Sequence, residues 1–111
     1  MKEVLILEDK SETRKVLAGL VKEVHSDAVI YEAADEKTAY DIAMKRTIDL
    51  FLVDIILHPQ QHDDVSGGEF AQNIRKVDKY LFTPILIITS MYDPKMCMYS
   101  SYNGSVVKTK I

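Results

Sequence analysis

Four short apolar runs punctuate the chain: "VLIL" at 4–7, "AVIYEA" at 28–33, "LFLVDIIL" at 50–57 and "ILII" at 85–88. A weaker run, "SVV" at 105–107, comes near the end. The first, third and fourth are continuous rather than alternating, the pattern of strands covered on both faces. The segments between them have helical spacing. In "SETRKVLAGLVKEV", Val16, Leu17, Leu20, Val21 and Val24 fall on one face, with Ser11 as N-cap and Thr13 and Arg14 opening the first turn. "DEKTAYDIAMKR" sets Ala39, Tyr40, Ala43 and Met44 on one face, and "GEFAQNIRKVDKYL" does the same with Phe70, Ile74, Val77 and Leu81. "DPKMCMYSSY" is a shorter helix, with Pro94 suited to its first turn. The order βαβαβαβαβ predicts a parallel sheet with helices on both faces, because parallel strands need right-handed crossover connections.

Asp54 breaks this pattern. It stands inside "LFLVDIIL", yet Asp is depleted in strands and rarely buried without a partner. In doubly wound sheets, sites lie outside the carboxyl ends of the strands, near the point where strand order reverses. Glu8 and Asp9 follow "VLIL", Asp54 follows "FLV", Thr89 and Ser90 follow "ILII", and Lys108 follows "SVV". Four strand ends therefore bring three carboxylates, a hydroxyl and an ammonium toward one edge, and Asp54 is tolerable as a member of that polar cluster.

Composition narrows the class. The chain has 111 residues, 47% hydrophobic and 28% charged, which suits one soluble domain with a single real core. The net charge of −3 does not point to nucleic acid or to an anionic membrane. A single cysteine, Cys97, rules out an internal disulfide and fits a reducing cytoplasm; it reads as a small, partly buried apolar residue. No apolar stretch is long enough to span a bilayer or to act as a signal peptide. His58, His62, Asp63 and Asp64 read as a solvated loop rather than a second metal site, and Tyr92, Tyr99 and Tyr102 as packing residues.

Three carboxylates this close cannot all stay ionised without a cation, and all-oxygen ligation suits Mg²⁺. A carboxylate beside Mg²⁺ is a competent nucleophile toward phosphorus. The Lys108 ammonium can share in neutralising phosphoryl charge, and the Thr89 hydroxyl can hydrogen-bond a phosphoryl oxygen.

The sequence resembles the receiver domains of bacterial two-component response regulators, of the CheY-like superfamily. The resemblance rests on "VLILEDK", "DLFLVDIIL", Pro59 with Gly67 and Gly68 downstream, "IR" at Ile74 and Arg75, "TPILIITS" and "SVVK", and it covers nearly the whole chain. It implies a flavodoxin-like fold with strand order 2-1-3-4-5. It also implies that Asp54 accepts a phosphoryl group from a histidine kinase or phosphotransfer protein. Glu8, Asp9, Asp54 and the backbone carbonyl of Ile56 then hold Mg²⁺, with Asp9 the direct ligand of the acidic pair. Thr89 is the switch hydroxyl and Lys108 the site lysine, with Lys110 a second candidate. The added charge would be read by Thr89, the fourth helix and the final strand, often through homodimerisation. "TPILIITS" and "IR" further resemble regulators that carry a LytTR-type output domain; the receiver itself would touch no nucleic acid.

The chain departs from the family at several points. Pro59 follows Asp54 by five residues and Gly67 and Gly68 by thirteen and fourteen, so the loop is longer than usual. Ser105 stands where the family has an aromatic switch residue, and Thr109 where it has Pro. The resemblance implies a fifth helix beyond Ile111, so residues 1–111 are expected to form one receiver domain truncated before that helix. One face of the sheet around the first and last strands would then be bare unless a partner covers it. Two other readings compete: a degenerate receiver that signals through protein contacts alone, and an aspartyl-nucleophile phosphatase. The second is opposed by Ile56, which occupies the position where such enzymes carry an acid/base Asp, so no turnover of small substrates is expected.

Overall fold

Successive residues of a strand point to opposite faces of its sheet, so a continuous apolar run must be covered on both sides. The computed structural model, which describes residues 2–54, 66–89 and 104–107 (side chains of 66–68, 89 and 104–107 excepted), shows this arrangement. Along β1 (Glu3–Leu7), Leu5 and Leu7 enter one core while Val4 and Ile6 enter another. The remaining strands are β2 (Val29–Ala33), β3 (Leu50–Asp54), β4 (Ile85–Thr89) and β5 (Gly104–Val107). All pair in parallel, in the order β2-β1-β3-β4-β5, as the sequence predicts. The first core is the larger. In it Phe51, Val53, Ile85 and Ile87 of the sheet meet α2 (Glu36–Lys45) and α3 (Ser66–Ile74). Phe51 stacks edge-on against Tyr80, with ring centroids 5.0 Å apart. The second core lies under α1 (Ser11–Val24) and joins Leu17 to Val4, Ile6, Leu52 and Ile88.

The helices correct the sequence reading in four places. Ser11 is the first helical residue of α1 rather than its cap. Lys10 holds the cap position in extended conformation and its side chain makes no capping bond, while its carbonyl accepts the first helical bond, from the Arg14 N–H. Second, the apolar stripe of α1 is only half covered. Leu17 is buried, but Val16, Leu20 and Val24 remain exposed, Val24 at 76%. Leu20 and Val24 instead edge an open apolar groove with Leu50, Leu52 and Leu86. Of the strands expected to carry a bare face, β1 is buried beneath α1, and the side chains of β5 lie outside the described residues. Third, Met44 of α2 is exposed while Ala39 and Ala43 carry the packing. Fourth, α3 stops at Ile74 instead of running to Leu81. Bonds from Lys76 N–H to Asn73 and from Val77 N–H to Ile74 tighten its end into a 3₁₀-type turn, and Val77 is extended. The chain then turns through a short 3₁₀ segment (Asp78–Tyr80) that buries Tyr80 and leaves Leu81 exposed. The Arg75 guanidinium fixes this connection by donating to the carbonyls of Tyr80, Leu81 and Thr83. The expected helix at 93–102, Cys97 and the His58–Asp64 loop lie outside the described residues.

Candidate functional site

The strand order reverses at β1, which has β2 on one side and β3 on the other, so the carboxyl ends of β1 and β3 flank the crevice of a doubly wound sheet. Leu7 of β1 is level with Val53 of β3. The residue that follows each of these is an acid, Glu8 just beyond the end of β1 and Asp54 as the last residue of β3. The Glu8 N–H extends the ladder by one bond to the Ala33 carbonyl, at 3.0 Å, and the chain then leaves the sheet through Asp9 into α1. Asp54 is the last residue of β3 and is in register with Ile88 of β4, so the Thr89 backbone ends its strand one position beyond.

The site is a carboxylate cluster. Ligand oxygens of Glu8, Asp9 and Asp54 all lie within 4.8 Å of one another. Glu8 is 1% exposed and Asp54 3%, whereas Asp9 is partly exposed. The Lys10 N–H approaches Glu8 Oε1 at 3.4 Å. Each ionised pair at this separation repels by about 3–4 kcal/mol at an effective dielectric of ~20. A hard divalent cation turns that repulsion into attraction. The donor set, all oxygen and mostly anionic, fits Mg²⁺.

Arg14 works on the same loop from behind. Its Nη1 donates to the carbonyl of Glu8 at 2.6 Å and to that of Asp9 at 3.3 Å, while its Nε pairs with Glu32 Oε1 of β2 at 3.2 Å. The sequence reading placed Arg14 only in a first turn and did not single out Glu32. A signal was present: a cation near a helix N-terminus opposes the helix dipole and so needs another purpose.

A family model for the response regulator receiver domain matches residues 4–108. The chain belongs to that family. Solved receiver-like structures agree. The chemotaxis protein CheY4 of Vibrio cholerae superposes with a TM-score of 0.81 at 25% identity, over 98% of this chain and 88% of that one. The response regulator TrrA of Thermotoga maritima, solved in complex with Mg²⁺-BeF, superposes with a TM-score of 0.79 at 25% identity, over 99% of this chain and 89% of that one. No curated protein matches the chain. As a two-component receiver domain it has the expected fold, and the structure brings Glu8, Asp9 and Asp54 together as the sequence predicts. Of the other expected site residues, Thr89 is placed by its backbone alone, and Ile56, Lys108 and Lys110 lie outside the described residues. No described helix is long and apolar enough to cross a membrane.

Proposed function

We propose that this receiver domain accepts a phosphoryl group on Asp54 from a histidine kinase or phosphotransfer protein, in a Mg²⁺-dependent reaction in the cytoplasm. The carrying observation is the cluster itself: three carboxylate donors within 4.8 Å at the ends of β1 and β3, in a chain the receiver family matches. Glu8, Asp9 and Asp54, with the Ile56 carbonyl, are the residues that would hold the ion, and Asp9 is the direct ligand of the acidic pair. When bound, Mg²⁺ supplies charge neutralisation for carboxylate and phosphoryl oxygens.

In the transfer, an Asp54 carboxylate oxygen forms the new bond to phosphorus as the donor's imidazole N–P bond breaks. The bonding pair leaves with the imidazole nitrogen, which takes a proton from water. The low exposure of Asp54 limits competing hydration of the nucleophile. Lys108 would neutralise charge on the transferred group and Thr89 would hydrogen-bond it. The added charge then shifts a two-state equilibrium that partners, including a second copy of the chain, read at the surface. The domain is a signalling acceptor rather than an enzyme that turns over small substrates.

Intact-mass spectrometry after incubation with acetyl phosphate tests this. Wild type should gain one phosphoryl group only with Mg²⁺, and Asp54→Asn should gain none. Uptake by Asp54→Asn would overturn the assignment. Absence of uptake in wild type would leave a receiver fold that acts through protein contacts alone.

A further inference from the structure

Arg14 occupies an unusual place. It lies in the first turn of α1, yet its side chain turns back toward the end of β1 rather than out to solvent. It is largely covered, with 17% of its side chain accessible. Two of its nitrogens are committed in different directions, Nη1 to the main-chain carbonyls of Glu8 and Asp9 and Nε to Glu32. Glu32 itself belongs to β2, which pairs with β1 along its whole length and places Glu32 level with Ile6. The guanidinium therefore bridges three elements, the β1–α1 loop, the first turn of α1 and the edge strand β2.

We propose that Arg14 is a positioning residue for the acidic pair, held in its orientation by Glu32. This rests on the Mg²⁺ reading of the site given above. The loop from Glu8 to Lys10 is only three residues long, so rotating its peptide planes would swing the Glu8 and Asp9 side chains out of the cluster. Hydrogen bonds to the two carbonyls fix those planes, as groups behind the ligands of a metal site orient the ligands themselves. The charge argues for geometry rather than attraction. A bare guanidinium near the cluster would repel a divalent cation, and the Glu32 carboxylate offsets that charge. A lysine cannot reproduce the arrangement, because one ammonium on a flexible stem lacks the planar fork that reaches carbonyls and carboxylate together.

Calorimetric titration of the full chain with MgCl₂, alongside thermal unfolding of the metal-free proteins, separates positioning from plain stabilisation. Arg14→Ala should weaken Mg²⁺ binding about tenfold. Asp35→Ala, which removes the N-cap of α2 on the other face of the sheet, supplies a destabilised control. It should lower the unfolding midpoint and leave Mg²⁺ affinity within twofold of wild type. If Arg14→Ala binds Mg²⁺ as wild type does, the positioning role is wrong while the metal site stands. If Asp35→Ala weakens binding as much as Arg14→Ala, the effect is general destabilisation and the role is equally wrong. If wild type shows no Mg²⁺ binding, the functional reading itself falls and this inference falls with it. Should Arg14→Ala not fold, Arg14→Lys takes its place: a several-fold loss of affinity supports the role, and wild-type affinity overturns it.

Discussion

The hydroxyl of Tyr80 lies 2.7 Å from the main-chain carbonyl of Arg46. It also reaches the Ala43 carbonyl at 2.6 Å and accepts from the Ile48 N–H at 3.3 Å. The last carbonyls of α2 have no partner within the helix, and Tyr80 supplies one from the far side of the core. Lys79 adds a second donor to Arg46 at 2.9 Å. The α3–β4 connection is thereby stitched to the end of α2.

Tyr80→Phe keeps the ring against Phe51 and removes only the hydroxyl. Buried polar groups left without a partner cost about 1–3 kcal/mol, so the variant should lose that much stability. Urea unfolding should show a lower midpoint with an unchanged slope. An unchanged midpoint would mean that water replaces the hydroxyl fully.

Mg²⁺ and the acidic pair should act on stability in opposite ways. Binding to the folded state alone contributes about 2.7 kcal/mol when free Mg²⁺ is roughly 100 times its Kd, and chelation should remove that gain. Asp9→Asn takes one charge from the cluster. It should raise the unfolding midpoint of the metal-free protein and shrink the gain from Mg²⁺. A metal-free midpoint that drops, with the Mg²⁺ gain intact, would contradict the picture of a repulsive cluster relieved by a cation.

Asp35 caps α2, accepting the Thr38 N–H at Oδ1 over 2.8 Å. That bond is the main cause that holds its carboxyl below the ordinary 3.8, with the positive end of the helix in the same direction. A depressed folded-state value means that the contribution is complete above the unfolded-state value and lost as pH falls through the folded one. Asp35→Ala should therefore cost about 1 kcal/mol near neutral pH. The difference from wild type should narrow below pH 3.8 as the carboxyl protonates. Parallel stability curves from neutral to acid pH would exclude the charge-assisted cap.

Gly19 sits inside α1 with ordinary helical backbone, and a Cβ built there meets nothing within 4 Å. Glycine in a helix interior forfeits about 0.5–1 kcal/mol relative to alanine. Gly19→Ala should raise the stability by about that amount, seen as a higher unfolding midpoint, and leave Mg²⁺ affinity unchanged. A loss of stability would show that this exposed face needs its missing side chain.

Much of this architecture was legible in the chain. "VLIL" and "ILII" read as strands covered on both faces because successive side chains point to opposite sides of the sheet and both sides here are apolar. Asp54 was legible as a strand end because no strand interior tolerates it. What escaped depended on distant partners. The end of α3 at Ile74 is set partly by Tyr80, whose bonds run to carbonyls 34 and 37 residues away. Periodicity draws the apolar stripe of α1 but not its cover, so Leu17 is buried while Leu20 and Val24 on the same stripe are exposed. The Arg14–Glu32 pair forms only once β2 lies beside β1.

The two-sided sheet also sets which mutations feel one another. Leu5 and Phe51 are register partners in the same core, so truncating both should give an energy different from the sum of the parts. Leu5 and Ile6 share a peptide bond but pack in separate cores on opposite faces. Chain neighbours along β1 are thus energetic strangers, while residues nearly fifty positions apart are coupled. Substitutions in this strand should trade epistasis across the sheet and remain additive only between immediate neighbours along it.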